Sequence, residues 1–277
     1  MSKALSPIMN IAKYTIADEI RQRSFIVIFA VSVIFVFLIR GCYQGNYMVN
    51  GQELEAAAIV GTVSKITFHI ITVVVMLIAA LLSMRVFKRD GDEGMQSCVF
   101  SKPITRRQYV VGKIFGLWVL SSFFMLVLHS IILITVYIKL NVAIPGYLAA
   151  SLLCSFNILF VIIAVLLFAL LMPDIAAFLV VMAISVISYV ADGIFAISHS
   201  PMAQTMMNQT PPSEMTGWKV VYYLWPKISG TQNFAASFIS GGEFSGWMSV
   251  YPLINIIVYC FVLGALLFWR FRNEDIV

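Results

Sequence analysis

The chain has 277 residues, of which 61% are hydrophobic and only 11% carry a charged side chain. Soluble globular domains average about 45–50% apolar and about 25% charged residues, so this composition excludes a soluble protein and predicts an integral membrane protein. The apolar runs are long and continuous rather than alternating, which predicts membrane-spanning helices and not a β-barrel. The predicted fold class is therefore an all-α integral membrane protein.

The first segment of the chain, residues 3–23, predicts a helix that lies in the plane of the membrane surface. Apolar residues recur every four positions and polar residues fall roughly opposite, a pattern typical of interfacial helices. The apolar stripe consists of Ile8, Ala12, Ile16 and Ile20. Ile11 and Glu19 fall outside this stripe. The alternative is a polar tail that simply continues into the first span. No cleavable signal peptide is expected, because no small-residue cleavage site follows the first apolar run.

Six apolar segments are close to the length needed to cross a bilayer core, which takes about 20 helical residues. They cover residues 24–39, 66–84, 114–137, 147–172, 175–197 and 250–269. Pro173 separates the fourth segment from the fifth, which would otherwise form one run too long for a single span. Six spans place both termini on the same side of the membrane.

The distribution of Lys and Arg predicts which side that is. The two termini and the loop 85–113 hold thirteen of the 18 Lys and Arg residues. The other face receives the remaining residues, which are Arg40, Lys65, Lys139, Lys219 and Lys227. Because cytoplasmic segments carry the excess of Lys and Arg, both termini and the loop 85–113 are predicted to be cytoplasmic, and the chain is expected in the cytoplasmic (inner) membrane.

The long outer segment before the last span, residues 198–249, combines turn-forming residues with many aromatic ones, including Trp218, Trp225 and Trp247. A solvated linker would not carry so many rings. Aromatic side chains prefer the boundary between water and lipid, so this segment is predicted to form helices and turns at the membrane interface.

The spans contain few residues that could take part in catalysis or in ligand binding. No HExxH, GxSxG or phosphate-loop motif occurs, and the four cysteines lack metal-ligand spacing, so the chain is predicted to be neither an enzyme by itself nor a nucleotide- or metal-binding protein. His129 and Asp192 are ionisable residues within spans, where such residues are functional candidates. Each lacks a partner nearby in sequence, which favours a structural role. Asn157 and Asn255 are predicted to form hydrogen bonds between helices.

The loop 85–113 is the most informative stretch. The basic residues of the stretch 85–89 directly follow the second span and are predicted to face lipid headgroups. Residues 90–94, DGDEG, predict an acidic turn that leads into a short helix over residues 95–100, because acidic residues stabilise the amino end of a helix.

The second half of the loop predicts the end of one helix and the start of the next. Pro103 cannot continue a helix, and Thr105 offers an N-cap for a helix that begins at Arg106 and runs through Gly112-Lys113 into the third span. The loop is thus predicted to be a compact helical hairpin. The alternative is an ordinary solvated loop whose charges only fix topology.

The loop motifs Glu93-Gly94, Ser101-Lys102-Pro103-Ile104-Thr105-Arg106 and Gly112-Lys113 resemble those of the membrane-spanning permease subunit of ABC-2-type exporters. The layout is also similar: an N-terminal interfacial helix, six spans and a long outer segment before the last span. The chain departs from the family pattern at Met95, where Thr is frequent, and at Val99-Phe100, where a Leu pair is frequent.

The resemblance implies a division of labour. The loop would be the coupling helix that docks on a separate cytoplasmic ABC ATPase, with two permease copies and two ATPase copies in the assembly. ATP and Mg²⁺ would be bound by the ATPase and not by this chain, and no nucleic acid is involved. The outer segment would form the exit-side gate. The implied ATPase contacts are Asp92, Glu93, Gly94, Met95, Gln96 and Ser97. The implied turn residues are Ser101, Pro103, Thr105, Arg106 and Arg107.

The predicted function is therefore ATP-driven export. The weakly charged spans favour a lipidic or amphipathic substrate. One alternative keeps the fold but assigns it to the maturation of a periplasmic copper enzyme or to a docking role. A more distant alternative is an intramembrane enzyme or a carrier without an ATPase, which would require polar groups converging at mid-membrane depth.

Overall fold

The computed structural model describes residues 2–39, 48–49, 52–53, 56–92, 94, 99, 101, 104–140, 144, 146–198, 222–239 and 247–273. Within these ranges, helices α1 to α9 are Ser2–Arg21, Arg23–Ile39, Ala56–Ser83, Val86–Asp92, Arg106–Leu140, Gly146–Ala169, Asp174–Ser198, Ile228–Ser237 and Trp247–Arg272. Strands β1 (Met48–Val49) and β2 (Gln52–Glu53) form one short antiparallel ladder. Five of the described helices, α3, α5, α6, α7 and α9, are long and apolar enough to cross a membrane, which confirms the predicted membrane-helix fold.

The first predicted span corresponds to α2, which has only 17 residues. The axes of α1 and α2 are bent by 72° at the break between them. A bend of this size turns α1 away from the direction of α2, as expected for a helix that lies along the membrane surface next to a span. Counted with this bent pair, the described chain has up to six spans.

The buried face of α1 differs from the predicted apolar stripe. Ile11, Thr15 and Glu19 are buried, whereas Ile20 of the predicted stripe is 45% exposed. The buried row follows the four-residue spacing of a helix face, and the hydroxyl of Thr15 is satisfied by the Ile11 carbonyl oxygen at 2.9 Å. The prediction that Ile11 and Glu19 lie off the packing face was wrong, because the partner of this face is α5 and not the lipid.

Two glycines of α5 allow this close packing. A Cβ atom at Gly112 would lie 2.7 Å from the Cβ of Ile11, and one at Gly116 would lie 2.9 Å from the carbonyl oxygen of Ala12. Real Cβ atoms essentially never come so close. The two glycines therefore form a shallow groove on α5 into which the backbone of α1 fits, as small residues do between membrane helices.

Helix α5 confirms the predicted N-cap at Thr105. The backbone amide of Gln108 donates to the Thr105 hydroxyl at 3.3 Å, and the Gln108 side-chain oxygen accepts from the Thr105 amide at 3.0 Å. This reciprocal pair is a capping box. From Arg106 the helix continues without a break for 35 residues, about 52 Å at 1.5 Å per residue. It is longer than the predicted span 114–137 because it also includes the end of the loop 85–113.

The centre of the bundle is α6. Of its apolar window 67% is buried, against 22% for α7 and for α9. It packs against α3, α5, α7, α8 and α9. The apolar outer faces of α7 and α9 are left for lipid or another chain.

The first part of the acidic stretch of the loop 85–113, Asp90–Asp92, lies at the end of helix α4. Asp90, Gly91 and Asp92 form the last turn of α4, and Gly94 adopts φ 67° with its amide donating to the Gly91 carbonyl at 3.1 Å. Glycine is favoured in this conformation just after a helix. The prediction that Asp90, Gly91 and Asp92 form a turn is therefore wrong, whereas Gly94 is a turn residue as predicted. Of the predicted helix 95–100, only Val99 lies within the described residues.

In the described part of the outer segment, residues 228–237 form a helix that is buried among other helices. Helix α8 packs against α3, α6, α7 and α9, and Ile228, Thr231 and Gln232 are fully buried. Its small and polar residues, including Ser229 and Thr231, are buried between the other helices, and the predicted position of the outer segment at the membrane interface stays a prediction. Trp218 and Phe244 lie outside the described residues.

Candidate coupling site at the basic end

The basic end of the bundle is the end that holds α1, α4 and the last turn of α9. Its centre is Asp90, which is 2% exposed. The Lys113 ammonium lies 2.6 Å from the Asp90 carboxylate, and the Tyr109 hydroxyl donates to the same carboxylate oxygen. Tyr109 and Lys113 are one turn apart on α5, so both side chains reach the same point. These contacts fix α4 to α5.

A second ion-pair group fixes α4 to α1. One guanidinium nitrogen of Arg89 lies 2.5 Å from Asp18 and 2.7 Å from Glu19. Glu19 also accepts a hydrogen bond from the side-chain amide of Gln22 at 3.1 Å. Burial raises the pKa of Glu19, and the attraction of Arg89 acts against that rise. Burial lowers the pKa of Arg89, but the acids Glu19, Asp18 and Asp90 together raise it further than burial lowers it, so Arg89 stays charged.

A third contact joins α4 and α5 to the end of α9. The rings of Phe87 and Phe271 lie 5.1 Å apart and those of Tyr109 and Phe271 lie 5.8 Å apart, distances typical of packed aromatic pairs. The Arg106 guanidinium donates to the carbonyl oxygen of Arg272 at 3.0 Å. A cation at this position satisfies carbonyls that have no partner within the helix.

The predicted site residues separate into three groups. Asp92 is the exposed end of α4, Gly94 follows it in the left-handed conformation, and Ser101 is an exposed turn residue. Thr105 caps α5, and Arg107 is exposed on its first turn. Four further predicted residues lie outside the described part of the chain: Glu93, Met95, Gln96, Ser97. Pro103 also lies outside it. Arg106, an implied turn residue, is the first residue of α5 and donates to the end of α9.

The residues that sequence reasoning missed are the buried ones. Arg89 was assigned to lipid headgroups, yet its side chain is only 21% exposed and pairs with acids of α1. Asp90 was placed in a turn, yet it is more buried than Asp92, the other acid among the described residues of the loop. The available signals were the four-residue spacing of Tyr109 and Lys113 and the row of Thr15 and Glu19 on α1.

At the opposite end of the bundle, Asp192 has partners that its sequence neighbours did not reveal. The Lys227 ammonium lies 3.1 Å from Asp192, with side chains 5% and 11% exposed, and the Tyr222 hydroxyl donates to the same carboxylate oxygen at 2.9 Å. Burial lowers the pKa of Lys227, and Asp192 acts against that change. This ion pair joins α7 to the segment before α8.

Side chains of three helices satisfy the irregular backbone of that segment. Asn157 of α6 donates to the Ile228 carbonyl at 3.0 Å, and Ser188 of α7 donates to the Pro226 carbonyl at 2.9 Å. Asn255 of α9 accepts from the Lys227 amide at 3.0 Å. Asn157 forms the predicted hydrogen bond between helices, whereas Asn255 bonds the segment that precedes α8. Irregular backbone is tolerated in a membrane protein when it is satisfied in this way.

His129 has a structural environment. Its ring stacks on Phe68 with centroids 4.8 Å apart, and its Nδ1 lies 2.8 Å from the Ser151 hydroxyl. The ring of Tyr147 packs edge-on against it. These contacts pack α3, α5 and α6 together and agree with the favoured structural role.

The described residues thus define a multi-pass helical membrane protein whose basic end carries a short helix held by buried ion pairs. No group of three His, Cys, Asp or Glu side chains in the described ranges could hold a metal ion. The family of ABC-2 family transporter proteins matches residues 9–276, so the chain belongs to this family and is a membrane permease of an ABC transporter. This match confirms the resemblance to ABC-2-type permeases. No match was found among curated proteins.

Proposed function

We propose that the chain is the permease subunit of an ATP-driven exporter and that α4 with the residues after it, 93–101, receives the motion of a separate ATPase. ATP and Mg²⁺ are bound by that ATPase, and two permeases assemble with two ATPases. The basic end faces the cytoplasm, in keeping with its excess of Lys and Arg, and the membrane is the cytoplasmic one.

The observation that carries this proposal is the way α4 is held. Asp92 at its tip is exposed, whereas Arg89 and Asp90, one turn earlier, form ion pairs of 2.5–2.7 Å with α1 and α5. Removing one partner of a buried ion pair typically costs about 3–5 kcal/mol. A displacement of the tip of α4 would therefore move α1 and α5 together with it.

The route from α4 into the membrane is continuous. Helix α5 begins at the basic end and runs through the bundle without a break, while Phe87 and Tyr109 contact the end of α9 at Phe271. One short helix is thus connected to three longer ones. A loop that only fixed topology would need none of these contacts.

The substrate proposed is lipidic or amphipathic, because the spans offer few charges for a small hydrophilic solute. The ATPase partner is tested first. A tagged full-length chain, solubilised from its native membrane in mild detergent, should bring down an ABC ATPase. If no ATPase accompanies it, the ATP-driven function is wrong and a carrier without an ATPase is favoured.

The coupling role is tested by Glu93→Lys, which reverses the charge of the residue after α4. We expect less ATPase in the purified complex and a changed rate of ATP hydrolysis in proteoliposomes. Glu274→Lys is the matched control, since it makes the same change near the carboxyl terminus. If both variants keep the wild-type amount of ATPase and the wild-type rate, the loop 85–113 is not the coupling element.

A further inference from the structure

A cavity of about 720 Å³ lies at the basic end, between α4 and the nearby ends of α1, α2, α3 and α7. One wall is apolar and consists of Ile28, Leu81, Leu82 and Met84. The charged part of the lining is formed by α4 and by acids of α1 and α7. The cavity therefore spans the level at which the apolar ends of two spans meet charged residues, which is where lipid headgroups lie.

The charges around this cavity are balanced, and most of them neutralise each other. Its cations are Arg85, Lys88 and Arg89, and its acids are Glu19, Asp92 and Asp174. Arg89 pairs with Glu19 at 2.7 Å, and Lys88 lies 3.9 Å from Asp174. Among the described residues, Arg85 and Asp92 have no ion-pair or hydrogen-bond partner for their side chains.

Arg85 and Asp92 lie on the same face of one helical segment. The Arg89 amide donates to the Arg85 carbonyl at 2.9 Å, so the first turn of this segment begins at Arg85. Positions seven apart are two turns apart, about 10 Å along the axis. The cavity thus offers one cation and one acid, separated along a line, beside an apolar wall.

We propose that this cavity binds a zwitterionic phospholipid of the adjoining leaflet. Its phosphate contacts Arg85, its ammonium group contacts Asp92, and its acyl chains pack against Leu81, Leu82 and Met84. Guanidinium groups bind phosphate oxygens through paired hydrogen bonds. A purely anionic headgroup would leave Asp92 facing a like charge, and a soluble zwitterion would leave the apolar wall uncovered.

The site goes beyond the proposed export function. Because Asp92 also belongs to the segment proposed to contact the ATPase, the test uses the chain alone, without ATPase. A failure of lipid binding would then leave the coupling proposal standing, and a failure of coupling would leave the lipid site standing.

The experiment is native mass spectrometry of the detergent-purified full chain. It is titrated with phosphatidylethanolamine, phosphatidylglycerol or diacylglycerol of the same acyl chains, and with glycerophosphoethanolamine, which has no acyl chains. We expect phosphatidylethanolamine to bind most tightly of the four. Glycerophosphoethanolamine should bind at least about tenfold more weakly than the lipid, because it cannot cover the apolar wall.

Two variants separate the two poles of the headgroup. Arg85→Gln should weaken phosphatidylethanolamine and phosphatidylglycerol alike, by about threefold to tenfold. Asp92→Asn should weaken phosphatidylethanolamine by a similar factor and leave phosphatidylglycerol unchanged or tighter. Arg23→Gln is the matched control, because Arg23 is an exposed cation at the same end and does not line the cavity.

The proposal is overturned by any of three results. Equal affinity for all three lipids would mean that the chain binds lipids over its surface without headgroup selectivity. Tighter binding of phosphatidylglycerol than of phosphatidylethanolamine would mean that Asp92 does not bind the ammonium group of the headgroup. Equal effects of Arg85→Gln and Arg23→Gln would mean that the lipid binds somewhere else.

Discussion

Replacing Lys113 by Met tests the buried ion pair that fixes α4 to α5. The Lys113 ammonium lies 2.6 Å from Asp90, and the two side chains are 8% and 3% exposed. Lys113→Met keeps the length of the side chain but leaves the Asp90 carboxylate buried with the Tyr109 hydroxyl as its one remaining partner among the described residues. Breaking one side of a buried pair costs about 3–5 kcal/mol. At roughly 2–4 °C per kcal/mol, this is a fall in Tm of about 6–20 °C.

The assay is thermal unfolding of the detergent-purified chain, followed by tryptophan fluorescence. Lys13→Met is the matched control, because Lys13 is exposed on α1, and its Tm should equal that of the wild type. The second variant, Asp90→Asn, keeps a polar group for Tyr109. If the two residues interact, the double variant should be more stable than the sum of the single effects predicts. A Lys113→Met protein with the wild-type Tm, or strictly additive effects, would refute the reasoning.

Three further predictions concern other contacts. Gly116→Ala should lower Tm, because the added Cβ would lie 2.9 Å from a backbone oxygen of α1 and overpacking costs about 1–3 kcal/mol. Gly193→Ala is the control. Position 193 has open space around it, so this variant should have an equal or higher Tm. Burial raises the pKa of Glu19 above 4.5, so the folded chain holds a proton that the unfolded chain has lost, and stability falls as pH rises through the raised pKa. The Tm of Glu19→Gln minus that of the wild type should therefore increase from pH 4.5 upward, and a pH-independent difference would contradict this. Lys227→Met leaves Asp192 buried without its cation. Hydrogen exchange of residues 222–239 should therefore become faster than in the wild type, while that of α4 stays unchanged. If exchange of residues 222–239 also stays at the wild-type rate, the ion pair does not hold the segment.

Much of the fold could be predicted because the lipid bilayer restricts the chain to helices. Composition and run length were sufficient for the membrane class, and Pro173 was sufficient to separate two spans. The cap at Thr105 could be predicted because its partner, Gln108, is only three residues away. In each case the information is local in sequence or follows from the solvent.

The candidate site was harder to predict because its contacts join distant parts of the chain. Glu19 looked misplaced on an interfacial helix until Arg89, 70 positions later, was seen to pair with it. Asp192 looked alone for the same reason, since Lys227 is 35 positions away. Amphipathic periodicity assumes one apolar partner for the whole helix, and α1 instead buries a row of mixed polarity, Ile11, Thr15 and Glu19.

The hydrogen bonds around residues 222–228 have a consequence for the order of assembly during synthesis. Their donors and acceptors lie on Asn157, Ser188 and Asn255, and Asn255 is made after the segment that it holds. The segment must therefore wait, with part of its backbone unsatisfied, until the last helix is inserted beside it. We expect a chain truncated before Trp247 to be recognised by membrane quality-control proteases even though its earlier spans are complete.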